Sequence, residues 1–476
     1  MGLQSNIASD KRRPGSFQTF DDTSGSRGLI PVTRSVCCVG IKSSTGTQAN
    51  ATPVQVFNES EADGYFGKGS ELALMVRKVY EELRKQGASC QVWACSVAAP
   101  AGVAATRTFT VTGTATAAGD VVFRIAGRTL RAAVKSGDTQ NTIAASINSA
   151  IGVAVATGTL PVTASVATNV VTTTHANTGV NGNDVSVSVV SSPAGATVAT
   201  ASPVAGTGVA SLVASLDALG SRDYLAIAVA NHLAQDVTDL GTHMDAMWAA
   251  GRKRWRHAFI GETGTLSTAT TLASGGNRKE IVISSCENSP SLPSELAATA
   301  AAISQSKDRP SYNYDGTETT LYAPPDASVF DDNEVEAALL GGVTPLTLSD
   351  TGAVKIERLV TTKATVSGAA FENLRDYAIS ATTAYYARQV DAKAVIAMKG
   401  KNADERLMNQ LRDLALSILR QGEEAGDLHH VEDHAAELRV AAHPTIPSRV
   451  LMEVPLSVVP NAHQLDNTIR LFVEGA

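Results

Sequence analysis

The chain has 476 residues, 43% hydrophobic and 18% charged, which is more than one core usually organises, so roughly two to four folded domains are expected. Its net charge of −7 argues against a general nucleic-acid binder, which would carry a basic field. No apolar run reaches the roughly 18 residues of a membrane span, and Met1-Gly2-Leu3-Gln4-Ser5 lacks the apolar core of a signal peptide, so a chain made and kept in a cytosol is expected.

Residues 1–30 carry little apolar content and are punctuated by Lys11-Arg12-Arg13-Pro14-Gly15 and Ser24-Gly25-Ser26-Arg27-Gly28, which reads as an extended arm rather than core. A regular alternation follows. The run 36–41 reads as a buried strand. The run 71–85 reads as a helix with Leu72, Met75, Val76, Val79 and Leu83 on one face, and 91–97 is a second strand. After an interruption the pattern resumes: helix 212–219, strand 224–229, helix 237–250, strands 257–261 and 280–284, helix 293–305. Strands alternating with helices predict a layered α/β domain with a mainly parallel sheet. The fold class expected is therefore α/β and multidomain, with a discontinuous core of 31–102 and 208–306.

The interruption, 103–207, has few charges, no glutamate, and Phe109 and Phe123 as its aromatics. Short β-like runs at 109–111, 121–125, 130–134, 162–166, 170–174 and 185–190 flank one helix. Asp138 is positioned to cap that helix, and Ile143, Ile147 and Ile151 line it. This predicts an inserted β-rich domain. Beyond 307, helices are expected at 333–340, 371–391 and 404–424, the last with Leu407, Leu411, Leu414 and Ile418 on a stripe. A long strand is expected at 353–362. The tail 441–476 has strand-like pieces broken by prolines and ends in a strand, 468–473, that needs a sheet to join.

Few constellations suggest chemistry. Gly64-Tyr65-Phe66-Gly67-Lys68-Gly69-Ser70 precedes a helix, where backbone amides bind anions. In a P-loop, however, Ser or Thr directly follows the lysine, and here Gly69 does, so a glycine turn with Ser70 as helix cap is expected. His430 and His434 stand in an acidic stretch, but Val431 breaks the zinc-protease pattern and no cysteine is near, so a solvated segment is expected. Arg252-Lys253-Arg254-Trp255-Arg256-His257 suits a helix C-terminus. Cys37, Cys38, Cys90, Cys95 and Cys286 form no CxxC pair and read as buried structural thiols. No catalytic residue, cofactor site or metal site is expected.

The most distinctive stretch is 307–362. It holds Asp308-Arg309-Pro310, the loop Tyr312-Asn313-Tyr314-Asp315-Gly316, Pro324-Pro325, a short acidic helix stopped by Gly341-Gly342, and Glu357-Arg358-Leu359-Val360-Thr361-Thr362. This series resembles the tail sheath proteins of contractile bacteriophages, most closely the Mu-like type. Gly67-Lys68-Gly69-Ser70-Glu71-Leu72-Ala73-Leu74-Met75, Val111-Thr112-Gly113-Thr114-Ala115-Thr116 with Ser136-Gly137-Asp138-Thr139, and Asn461-Ala462-His463 also resemble that subfamily. Tyr312-Asn313-Tyr314 departs from the leucine-rich loop that many sheath proteins have after the Arg-Pro.

The resemblance implies a non-enzymatic subunit that stacks as six-fold rings into a sleeve around a tail tube, and that shortens on a baseplate signal without consuming nucleotide. Implied partners are copies of itself, the tube protein, and baseplate and terminator proteins, with no nucleic acid and no membrane insertion. The expected location is a virion tail assembled in a bacterial cytoplasm. On this reading 103–207 lies outermost, 307–440 faces the tube, and 1–30 and 441–476 are linking arms. Phe17, Phe20, Ile469, Leu471 and Val473 are candidate subunit-linking residues. Arg406, Arg412 and Arg420 are candidate tube-facing residues. A phage-derived bacteriocin or secretion sheath is the close alternative; a nucleotide-dependent α/β enzyme and an adhesive or capsid-like protein are the distant ones.

Overall fold

A computed structural model describes residues 29–220, 222–371, 374–446 and 448–463. They form two units: residues 33–388 with 458–463, and residues 389–457 with 29–32. The expected mixture of helices and sheets is present.

The larger unit begins with β1 (Ser35–Ile41), buried along its whole length. Then come β2 (Val54–Val56), α1 (Glu59–Phe66), α2 (Glu71–Lys85) and β3 (Gln91–Val97). Ser70 caps α2 by accepting from the Ala73 amide, and Arg84 and Lys85 sit in its last turn, where cations suit the helix dipole.

The segment 103–207 contributes β4 (Thr106–Gly113), β5 (Gly119–Ile125), β6 (Arg128–Val134), α3 (Gln140–Ala156), β7 (Val162–Ala167), β8 (Val170–His175), β9 (Val187–Ser191) and β10 (Ala196–Val204). They pair into two antiparallel sheets, ordered β10-β4-β8-β7 and β6-β5-β9. Phe109 and Phe123 meet edge-to-face at 5.1 Å, and Ile143, Ile147 and Ile151 of α3 pack in the same cluster. Thr139, not Asp138, caps α3; the Asp138 carboxylate instead accepts from the Lys135 amide and closes the preceding turn. Gly102 and Gly208 hold positive φ where the two connecting strands touch. A Cβ on Gly102 would meet the Thr207 carbonyl oxygen at 1.9 Å.

The chain then returns through α4 (Val213–Leu219), β11 (Ala226–Val229), α5 (Ala234–Trp248), β12 (His257–Glu262), α6 (Leu266–Gly276), β13 (Ile281–Ser285) and α7 (Pro293–Ser304). Next are β14 (Thr317–Glu318), α8 (Asp332–Leu340), β15 (Thr344–Leu348), β16 (Val354–Ile356) and the small hairpin β17 (Thr365–Val366) and β18 (Ala369–Ala370). One nine-stranded sheet collects β14-β16-β15-β13-β12-β11-β1-β3-β2. Its six central strands are parallel and its margins antiparallel. Alternate strand residues point to opposite cores. Val36, Cys38, Ala228 and Phe259 face α2 and α7, while Cys37, Val39, Ile227 and Ile260 face α4, α5 and α6. Burial on both faces explains why these strands read as unbroken apolar runs.

Two expectations need correction. The strand expected over 353–362 is only Val354–Ile356. Leu359, Val360, Thr361 and Thr362 are all buried, so no alternation sustains a ladder; their backbone is tied instead to Thr344, Arg375 and Ile281. The helix expected from Phe371 begins at Tyr377 as α9 (Tyr377–Met398). The Asp376 carboxylate accepts from the Ala378 amide, and the Phe371 amide bonds the Ala364 carbonyl outside any helix.

In the smaller unit, the C-terminal part of α9 is followed by α10 (Glu405–Glu424), β19 (Arg439–Ala442) and β20 (Val450–Glu453). Asp404 caps α10 by accepting from the Leu407 amide. Leu407 and Leu411 pack with Ala394 and with Val440, Val450 and Met452 of the hairpin, a small core for a unit of this size.

Candidate subunit-linking interface

The β19–β20 pair is a two-stranded antiparallel sheet with no third strand among the described residues. Its register alternates as a half-buried strand should. Val440 and Met452 turn toward α10, while Leu451 is 41% exposed. Each strand leaves one row of amides and carbonyls unpaired by the ladder, and an isolated hairpin is marginal in water. Exposed Val395, Ile396 and Met398 at the end of α9 add apolar surface to the same unit.

The chain is pinned where it enters and leaves the described residues. At the N-terminal side, the Gln389 side chain grips the Ile30 backbone: the Ile30 amide donates to Oε1 at 2.8 Å, and Nε2 donates to the Ile30 carbonyl at 2.7 Å. Arg34 then bonds the Gln305 carbonyl and pairs with Asp308. At the C-terminal side, His463 lies between two carboxylates. Its Nδ1 donates to Asp315 at 2.5 Å and its Nε2 to Asp376 at 2.6 Å. Asp315, followed by Asp376, pulls the imidazole up to about 9, so it is charged at neutral pH. Arg358 flanks Asp376 at 3.7 Å. Asn313 Nδ2 donates to the Ala462 carbonyl. The loop that departs from the sheath pattern is thus the loop that receives the C-terminal segment. Tyr314 anchors it, buried against Tyr377 with its hydroxyl on the Ser304 carbonyl.

Of the residues singled out from sequence, Phe17, Phe20, Ile469, Leu471 and Val473 lie outside the described residues. Arg406, Arg412 and Arg420 are on α10 and exposed. Arg420 already pairs with Glu432 at 2.6 Å. Arg406 borders a shallow depression with Glu405, Asn409, Gln410 and Asp413.

The glycine run before α2 makes a structural turn: Lys68 donates to the Ala156 carbonyl and Ser70 caps the helix. His430 and His434 lie in turns after α10, paired with Asp433 and Glu437, and no metal-holding group of His, Cys, Asp or Glu exists among the described residues. The basic hexamer differs from expectation. Arg256 is fully buried and donates to the Leu219 carbonyl, so it serves the C-terminus of α4 rather than α5. Burial raises all five thiols, which leaves them protonated and inert.

Sequence reasoning missed His463 and its two carboxylates, and it missed Glu71. The signals were faint: an Asn-Ala-His ending was noticed only as a resemblance, and Glu71 only as first-turn charge.

No family model matches the chain. Over 181 residues it is 34% identical to the tail sheath protein of the Mu-like prophage FluMu from Haemophilus influenzae; the match takes in 38% of this chain and 36% of that relative's length. A sheath tail protein from Listeria innocua superposes with a TM-score of 0.53 at 13% identity, over 92% of this chain and 94% of the other. The sheath of an extracellular contractile injection system in its contracted state gives 0.51 at 10% identity, over 97% and 98%. These relatives are structural tail sheath proteins rather than enzymes. The resemblance to sheath proteins read from the sequence is therefore borne out: the chain has the fold of contractile-tail sheath proteins and, across those 181 residues, is a homologue of a Mu-like tail sheath protein.

Proposed function

We propose that this chain is the sheath subunit of a contractile phage tail. It polymerises as stacked hexameric rings around a tail tube, assembles in an extended metastable state in the bacterial cytoplasm, and contracts on a baseplate signal. The observation that carries the reading is the sequence match to a Mu-like tail sheath protein, on a chain that shares the sheath fold along nearly its whole length. The contraction is a switch between two packings of rigid bodies, propagated by neighbours, with no cofactor and no nucleotide.

Such a polymer needs joints that survive the rearrangement, and added strands are suitable joints. The β19–β20 hairpin is the acceptor, since both its edges are open. The donors are the terminal arms, 1–30 and 441–476, through Phe17 and Phe20 and through Ile469, Leu471 and Val473. Segment 103–207 is the outermost domain and is dispensable for polymerisation, because its entry and exit strands touch at Gly102 and Gly208. Domain 307–440 faces the tube. The tail terminator and baseplate cap the two ends of the sleeve.

Electron microscopy of the purified protein is the test. Long striated sleeves are expected; monodisperse small oligomers or closed shells overturn the proposal. Deleting 466–476, or the first 25 residues, is expected to leave a folded protein that makes no sleeves. A phage-derived injection device is a second reading, favoured by the fold match to such a sheath. It differs in what the sleeve is attached to, not in what the subunit does.

A further inference from the structure

The six parallel strands run β3-β1-β11-β12-β13-β15 across the sheet. The chain steps outward from β1 to β3, then returns to β11 on the other side of β1, so the strand order reverses between β1 and β11. In open α/β sheets the crevice outside the carboxyl ends of strands at such a reversal is where ligands bind. Here that place is filled by the chain's own inserted segment. The turn at 175–184 lies across it. Asn177 Nδ2 donates to the carbonyl of Ile41, the last residue of β1. Asn181 Nδ2 donates to both oxygens of Glu71 at 3.0 and 3.2 Å, and lies 3.4 Å from Asn231 Oδ1, just after β11. Asn231 in turn donates to Asp236. Glu71, Asn177, Asn231 and Asp236 are all buried.

The charge on this seam is lopsided. Glu71 comes from α2, Asp184 from the inserted turn, Asp236 from α5 and Glu262 from β12. Facing them are His232, 3.6 Å from Asp184, and Arg107 of β4. Asn181 supplies hydrogen bonds to Glu71 but no charge. We propose that the 175–184 turn is a plug in the switch-point crevice whose docking is proton-sensitive: it seats most firmly when the Glu71 carboxyl is protonated and loosens when Glu71 ionises.

The sign follows from the surroundings. Burial pushes Glu71 up to about 7, against the partial relief given by Asn181 and the Ile41 amide. Burial raises Asp184 and Asp236 as well. Docking therefore takes up a proton. Its advantage is full below the ordinary carboxylate range and is lost as pH rises through about 7.

Hydrogen exchange of the full chain, corrected for intrinsic exchange rates, tests this on the amides of 176–184. Wild-type protection is expected to fall about tenfold between roughly pH 6 and pH 8, the factor for one group titrating between those values. Glu71→Gln is expected to keep its protection at the higher pH. Asn181→Asp, which adds a carboxylate without changing size, is expected to lose protection already near neutrality, and it covers the case in which Glu71→Gln does not fold. Flat wild-type protection overturns the proposal. So does an unchanged fall in Glu71→Gln, or a fall abolished by Asp184→Asn alone. None of these outcomes depends on whether the protein makes sleeves.

Discussion

The nine-stranded sheet and the β19–β20 hairpin solve opposite problems. The large sheet has helices on both faces, and its central strands find backbone partners on both sides. The hairpin has one covered face and two open edges. The first is satisfied by its own chain, whereas the second is complete only if something adds to it. A region whose hydrogen bonding closes internally acts as a rigid body. A region whose hydrogen bonding stays open acts as a joint.

The largest effect should come from cutting into the closed region. Phe259 is fully buried on β12, against Tyr377 at 5.7 Å. Phe259→Ala is expected to cost about 3–5 kcal/mol and to lower the melting temperature of the whole larger unit. A loss below about 1 kcal/mol would mean that this core is not the rigid element described. In the smaller unit, Leu411→Ala should cost about 2–4 kcal/mol, with exchange rising over 405–424 while β11 and β12 stay protected. Exchange rising equally in both units would remove the distinction between them.

How much of this was legible depended on how local the signals are. Helix α2 was read at its true limits because Leu72, Met75, Val76, Val79 and Leu83 repeat at helical spacing between a serine cap and Gly87. The central strands were legible because burial on both faces leaves them wholly apolar. Helix α6 was missed. Its Leu-Ser-Thr-Ala-Thr-Thr-Leu-Ala-Ser-Gly-Gly sequence has weak helix propensity and buries only Ala269, Leu272 and Ala273, so tertiary packing holds it. The β10 strand was missed as well, its exposed Ala and Thr residues giving no apolar run. The pinning of His463 was out of reach because its partners stand 148 and 87 residues away in sequence. No local pattern marks a pair that only the fold brings together.

That pinning makes a smaller, pH-dependent prediction. The His463 imidazole is raised above its ordinary value, so its ion pairs contribute fully below the ordinary histidine range of about 6.5 and are lost as pH rises through about 9. The contribution is about 1 kcal/mol or less, because the group is partly solvated. Proton NMR of the imidazole should give a midpoint near 9, and Asp376→Asn should lower it. A midpoint in the ordinary histidine range would mean that the segment is not held there.

The hairpin's open edges can be blunted without touching either core. Leu451→Lys places a charge on the exposed face of β20, and a surface change of this kind should alter stability by no more than about 0.5 kcal/mol. If the hairpin accepts strands from neighbouring subunits, the variant is expected to stay folded and monomeric while sleeves disappear. Normal sleeves from Leu451→Lys would make the hairpin a finished element and move the joint elsewhere.

The smallest effect concerns the exposed face of α10. Arg406, Arg412 and Arg420 project from a helix whose opposite stripe, Leu407, Leu411 and Ile418, is buried. Arg420 shares its charge with Glu432, so it offers less to a partner than the other two. If this face meets the tube, Arg406→Ala with Arg412→Ala should weaken co-assembly with tube protein, mostly through a slower association rate that rising salt abolishes. Adding Arg420→Ala should bring little further loss. Self-association of the sheath should be unaffected, since the hairpin and the arms are untouched. Co-sedimentation with tube protein at low and high salt reads both quantities. Co-assembly that is unchanged at low salt would remove α10 from the tube contact and leave its arginines as ordinary solvated charge.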